Sequence, residues 1–91
     1  MAVKLILHGK VQGVYCRKYC QENAQKLNIK GSASNMPDNT VKVILDTNDE
    51  KIIDEFIRHL KENPFKFSFY GNITKIDINK NENFIKGDYN F

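Results

Sequence analysis

Residues 30–46, KGSASNMPDNTVKVILD, contain two extended runs joined at a tight turn. The second run, residues 40–46, places Val41, Val43 and Leu45 on one side of a period-two pattern, which predicts a strand with one apolar face. The first, residues 30–36, is a weaker strand because Gly31, Ser32 and Ser34 have poor strand propensity. Between them, Asp38 and Asn39 predict a hairpin turn, since Asn tolerates the positive φ such turns require. What flanks this hairpin decides the fold.

On its N-terminal side, Cys16, Tyr19, Cys20, Asn23, Ala24 and Leu27 recur at spacings of three and four, which predicts a helix over about residues 16–28. Before that helix, Val3, Leu5 and Leu7 alternate with Lys4, Ile6 and His8, which predicts a strand over residues 3–8. On the C-terminal side, Ile52, Ile53, Phe56, Ile57 and Leu60 form an apolar stripe over residues 49–62. Asn48 or Asp49 can cap that helix, and Pro64 follows its end. Residues 65–71 are aromatic and resist typing; residues 73–78 alternate as a strand; residues 79–83, NKNEN, read as a polar loop; residues 85–91 can supply a short edge strand.

The order is β-α-β-β-α-β in one domain spanning residues 1–91, the pattern of a ferredoxin-like α+β sandwich. It predicts a four-stranded antiparallel sheet, with a fifth strand available from the last residues, and two helices on one face. The other face would meet water or a partner. This fold hosts many unrelated activities, so function must come from a site.

The 91 residues allow one modest core, and a composition 41% hydrophobic and 27% charged is that of an ordinary globular chain. A net charge of +3, from 14 basic and 11 acidic residues, is a mild bias toward anions and too dispersed to argue for nucleic acid. The strands also lack the aromatics that an RNA-binding sheet of this topology carries on a basic face. Two cysteines, Cys16 and Cys20, make neither a disulfide framework nor a zinc site and read as reduced thiols. With no visible leader and only short apolar runs, the expectation is a cytoplasmic, monomeric protein that binds no membrane.

The chemistry concentrates in residues 9–17, GKVQGVYCR, where a strand runs through two glycines into a helix start. Helix starts offer unpaired backbone N–H groups and partial positive charge, which suit a phosphate or carboxylate. Arg17 adds a permanent charge and a planar fork matched to phosphate oxygens. A cation in the first turn opposes the helix dipole, a mismatch that makes sense with an anion bound between them. The alternative from these residues is a glycine-bearing loop followed by a solvated arginine.

GKVQGVYCRKY resembles the signature of the acylphosphatase family: Gly-x-Val-Gln-Gly-Val, a variable position, an aromatic, then Arg. The family's second signature runs Gly, aromatic, small apolar, basic, Asn, then a turn and Val. GSASNMPDNTV, residues 31–41, is similar to it at Gly31, Ala33, Asn35 and Val41. The closing Tyr-Asn-Phe looks like the family's last strand. The resemblance implies an enzyme that hydrolyses the carboxyl-phosphate bond of small acyl phosphates, releasing inorganic phosphate, which would also inhibit. It implies that Arg17 binds the phosphate and Asn35 orients the attacking water. The backbone N–H groups of Gln12, Gly13, Val14, Tyr15, Cys16 and Arg17 would cradle the phosphoryl oxygens, with no metal and no cofactor. A module that keeps this cradle but only binds anions is the rival reading. The strand period is consistent with the assignment: Ala33 and Asn35 share a face, so if Ala33 faces the helices Asn35 does too.

The chain departs from the family pattern at several points. Cys16 stands where the aromatic is expected, and Tyr15 occupies the preceding, usually variable position. Successive residues at a helix start point about 100° apart, so Tyr15 cannot take over the missing role. Phe65, Phe67 and Phe69 are candidates to fill the space. Ser32 and Ser34 replace an aromatic and a basic residue, on the strand face opposite Ala33 and Asn35, and Asn39 replaces a turn glycine. Cys16 reads as a core residue rather than a nucleophile, His8 as structural and His59 as solvated.

Overall fold

The computed structural model describes residues 2–83 and 86–91. Its elements are β1 (Ala2–Lys10), α1 (Cys16–Lys26), β2 (Gly31–Asn35), β3 (Val41–Leu45), α2 (Glu50–Glu62), β4 (Asn72–Glu82) and β5 (Tyr89–Asn90). The strands form one sheet of order β4-β1-β3-β2-β5, and every neighbouring pair is antiparallel. This is the ferredoxin-like arrangement, with the fifth strand present at the β2 edge. Of the closing strand expected over residues 85–91, residue 85 lies outside the described residues, and the strand itself is Tyr89–Asn90.

The period-two pattern of the central strands translates directly into packing. Val3, Leu5 and Leu7 of β1, Ala33 of β2 and Val41, Val43 and Leu45 of β3 are buried in one cluster with Tyr19, Cys20 and Ala24 of α1 and Ile53, Phe56 and Leu60 of α2. Both helices therefore cover the same face of the sheet. The hairpin turn forms as expected: Asn39 adopts φ 69°, and the Asp38 carboxylate accepts from the Thr40 N–H and hydroxyl at 3.2 and 2.5 Å. Of the two candidate caps for α2, Asp49 is the one used; its carboxylate accepts from the Lys51 N–H at 2.9 Å. The helix stops at Asn63, which takes a left-handed conformation, φ 47°, just before Pro64.

Three expectations are corrected. Residues 79–82 are not loop but the end of β4, paired with the start of β1 through Lys4↔Asn79 and Ala2↔Glu82. An edge strand is held by backbone hydrogen bonds, so polar side chains do not prevent it. His59 is not solvated: it is 6% exposed, with its ring against Phe65 at 5.4 Å. The chain after α2 folds back over that side of the helix, which periodicity within the helix could not reveal. The second sheet face is not open throughout, because Ser32 and Ile44 are buried on it. A Cβ built on Gly87 would lie 2.1 Å from Ser34 Oγ and 3.3 Å from Ser32 Cβ, so the chain near residue 87 crosses directly over β2.

Among the three candidate aromatics, Phe69 turns inward and stacks on Tyr19, with ring centroids 4.6 Å apart and planes within 7°. Phe67 also packs against the core, whereas Phe65 is 48% exposed. Tyr19 is fully buried, and its hydroxyl donates toward the carbonyls of His59 and Leu60 at 3.0 and 2.8 Å. This contact ties the middle of α1 to the last turn of α2, where the His59 carbonyl also accepts from the Asn63 N–H.

Candidate active site

The loop between β1 and α1 enters the helix with unusual backbone geometry. Gly13 has φ 72°, and Tyr15, the residue preceding the helix, has φ 67° and ψ 22°. A left-handed conformation is accessible to glycine but costs an aromatic residue about 1–2 kcal/mol. Such strain collects at ligand-binding sites because only the surrounding structure can hold it. No side chain caps α1, and its first turn contains no acidic residue. The N–H groups of that turn are thus left to an outside acceptor.

Gln12 positions this loop. Its side-chain amide donates to the carbonyls of Met36 and Thr40 at 2.7 and 2.9 Å, spanning the turn between β2 and β3. The loop is thereby fastened beside the end of β2, where Asn35 sits. Sequence reading assigned Gln12 a backbone role only; its side chain acts as the tether.

Arg17 and Asn35 do meet. They line one cavity of about 230 Å³ together with Gly13, Tyr15 and Tyr89. The Oδ1 atom of Asn35 is buried, with no hydrogen-bond partner among the described residues. A buried amide oxygen without a donor is costly, and native structures keep such groups mainly where a ligand or water is to be held. Arg17 Nη1 contacts Asp88 Oδ2 at 3.0 Å, and the guanidinium lies over the Tyr89 ring at 5.0 Å. The same Asp88 oxygen accepts from the Asn35 N–H at 3.2 Å, and the Asp88 N–H donates to Ser34 Oγ at 3.0 Å. One carboxylate thus joins the two candidate residues, and Ser34, a departure from the family pattern, anchors it. Asp88 was not legible in the sequence: it is 71 positions from Arg17, and only the pairing of β5 with β2 brings it there.

Cys16 is 2% exposed and Cys20 fully buried, so both thiols belong to the core. The Cys16 thiol hydrogen bond, with burial, pushes the Cys20 thiol well above the usual range. His8 holds Asp77 across the β1–β4 pair at 2.7 Å, away from this cavity. A larger hollow of about 310 Å³, lined by Glu22, Gln25, Lys26 and Phe67, contains none of the candidate residues and sets one acid beside one base. The smaller cavity at the helix start is the one that holds Arg17 and Asn35 together.

Fold and site together define a ferredoxin-like α+β protein with a strained loop at an uncapped helix start. The acylphosphatase family model matches residues 3–89. An acylphosphatase of Corynebacterium glutamicum (strain R) is 37% identical over 70 residues, covering 77% of this chain and 73% of that protein. One of Lactococcus lactis is 35% identical over 77 residues, covering 81% and 79%. The crystal structure of acylphosphatase from Bacillus subtilis superposes with a TM-score of 0.74 over 97% of this chain and 98% of that one, at 22% identity, a likeness of fold. The chain belongs to the acylphosphatase family, and its activity is the family's, hydrolysis of acyl phosphates.

Proposed function

We propose that Arg17 and Asn35 carry that hydrolysis, with Arg17 binding the phosphoryl group and Asn35 holding the attacking water. The observation that carries this reading is that Asn35, whose buried Oδ1 has no hydrogen-bond partner among the described residues, lines the same cavity as Arg17. The backbone N–H groups of residues 12–17 receive the phosphoryl oxygens, in the manner of other helix-start phosphate sites. Asn35 Oδ1 accepts one water hydrogen and aims the oxygen at phosphorus. The water oxygen forms the new bond to phosphorus as the bond from phosphorus to the carboxyl oxygen breaks. The carboxylate leaves with that electron pair, and a water proton passes to the phosphate, so the dianionic ester and water give carboxylate and dihydrogen phosphate. A carboxylate is already a good leaving group, so positioning and charge stabilisation suffice without a strong base.

The test is hydrolysis of benzoyl phosphate by purified protein in the presence of EDTA. Turnover should proceed and be inhibited competitively by inorganic phosphate. Arg17→Ala and Asn35→Ala should each lower kcat/KM by about a hundred- to a thousandfold with melting temperatures near wild type. Full activity in Arg17→Ala would overturn the assignment. If phosphate raises the melting temperature of wild type without any turnover, the chain is an anion-binding module instead.

A further inference from the structure

The site has a second end that phosphate recognition leaves unexplained. Tyr15 lines the cavity with Arg17 and Asn35, yet its ring is 61% exposed. Beside it stands the Tyr70 ring, 68% exposed, with centroids 5.5 Å apart and planes inclined by 60°. These are the two most exposed aromatic residues among the described ones, and they lie side by side, with Tyr15 lining the cavity. Water gains nothing from such a pair, and contiguous exposed aromatic surface at a cavity marks a place where something apolar binds.

The pair is held firmly. The Tyr70 N–H donates to the Val14 carbonyl at 3.1 Å, and the preceding Phe69 is stacked on buried Tyr19. Phe69 takes the inward place in the 65–71 segment and Tyr70 the outward one. The left-handed backbone at Tyr15 is maintained although Gly or Asn would adopt it at lower energy. The cavity's other tyrosine, Tyr89, already has the Arg17 guanidinium over its ring. The aromatic surface left for a ligand is therefore that of Tyr15 and Tyr70.

An acyl phosphate has two ends. With its phosphoryl group on the loop N–H groups and Arg17, its acyl group must leave the cavity past the residues of its rim. We propose that Tyr15, backed by Tyr70, is the acyl-binding platform and makes the enzyme select planar, aromatic acyl groups over short aliphatic ones. This rests on the reading of Arg17 and Asn35 given above.

The discriminating measurement is the ratio of kcat/KM for benzoyl phosphate to that for acetyl phosphate. Damage to the phosphate loop lowers both terms and leaves the ratio unmoved, whereas loss of an acyl platform lowers only the first. Tyr15→Asn keeps a residue that tolerates the left-handed backbone, and Tyr70→Ala removes the ring contact with Tyr15 while the backbone bond from the Tyr70 N–H to the Val14 carbonyl is retained. Each should lower the ratio about five- to tenfold, the range of a lost aromatic contact, and Tyr15→Phe should retain it. Melting curves identify any variant that has not folded. A ratio unchanged within twofold in folded Tyr15→Asn and Tyr70→Ala overturns the platform while the phosphate site stands. A wild-type protein that hydrolyses neither ester overturns the phosphate-site reading and this one with it.

Discussion

Asp88 is the residue whose role is least simple. Its carboxylate contacts Arg17 and the backbone of Asn35 from one oxygen, and on the proposed reading it is also an anion beside the bound phosphate. The pair is half exposed, so its removal should change stability by less than about 1 kcal/mol. The electrostatic consequence for phosphate is larger in relation to binding. In Asp88→Asn, one negative charge leaves the site, and inorganic phosphate should inhibit at a several-fold lower concentration, an effect on the order of 1 kcal/mol. Inhibition constants at low salt measure this directly, and a weaker phosphate affinity in the variant would show that steadying Arg17 outweighs the repulsion.

At the level of elements, the site depends on how the β1–α1 loop meets the β2–β3 turn. Gln12 is the mechanical link, with two hydrogen bonds to carbonyls of that turn. Gln12→Ala removes these two bonds while each carbonyl keeps a backbone donor, Asn39 N–H on Met36 and Met36 N–H on Thr40, so it should cost about 1 kcal/mol in urea unfolding and lower kcat/KM as Asn35 and the loop lose registry. The helix pair has its own signature. Burial, then the neighbouring Cys20 and Cys16 thiols, push the Tyr19 phenol up to about 12. An unfolded tyrosine ionises near pH 10, so the unfolded chain loses its proton first and stability falls as pH rises from about 10 to about 12, with no contribution lost below that window. Tyr19→Phe should be less stable at neutral pH and lack this alkaline decline.

For the molecule as a whole, the acid limb of stability has the opposite sign. The hydrogen bond from His8 holds the Asp77 carboxyl below its usual range across the β1–β4 pair, and the Lys80 partner does the same for Glu50 across β4 and α2. Groups depressed in the folded state contribute stability above their unfolded pKa and lose it as pH falls through the folded value. These contributions are therefore present at neutral pH and disappear below about pH 4. His8→Ala should shift the acid unfolding midpoint of the protein to higher pH, readable by circular dichroism.

The sequence by itself determined the order and type of the elements, because residue periodicity and local backbone cost are properties of neighbouring residues. Val41, Val43 and Leu45 announce a strand wherever they are placed, and two glycines before a helix start announce a loop of unusual backbone. The tertiary structure alone decided what depends on residues far apart in the chain. It buried His59 under the segment after α2, extended β4 through NKNE by pairing it with β1, and turned Tyr15 outward toward Tyr70. It also brought Asp88 onto Arg17 through a two-residue strand, a contact spanning 71 positions that no local pattern encodes. Backbone pairing in an edge strand is nearly blind to side-chain type, which is why β4 and β5 were the elements least legible and why the residue joining Arg17 to Asn35 emerged only in three dimensions.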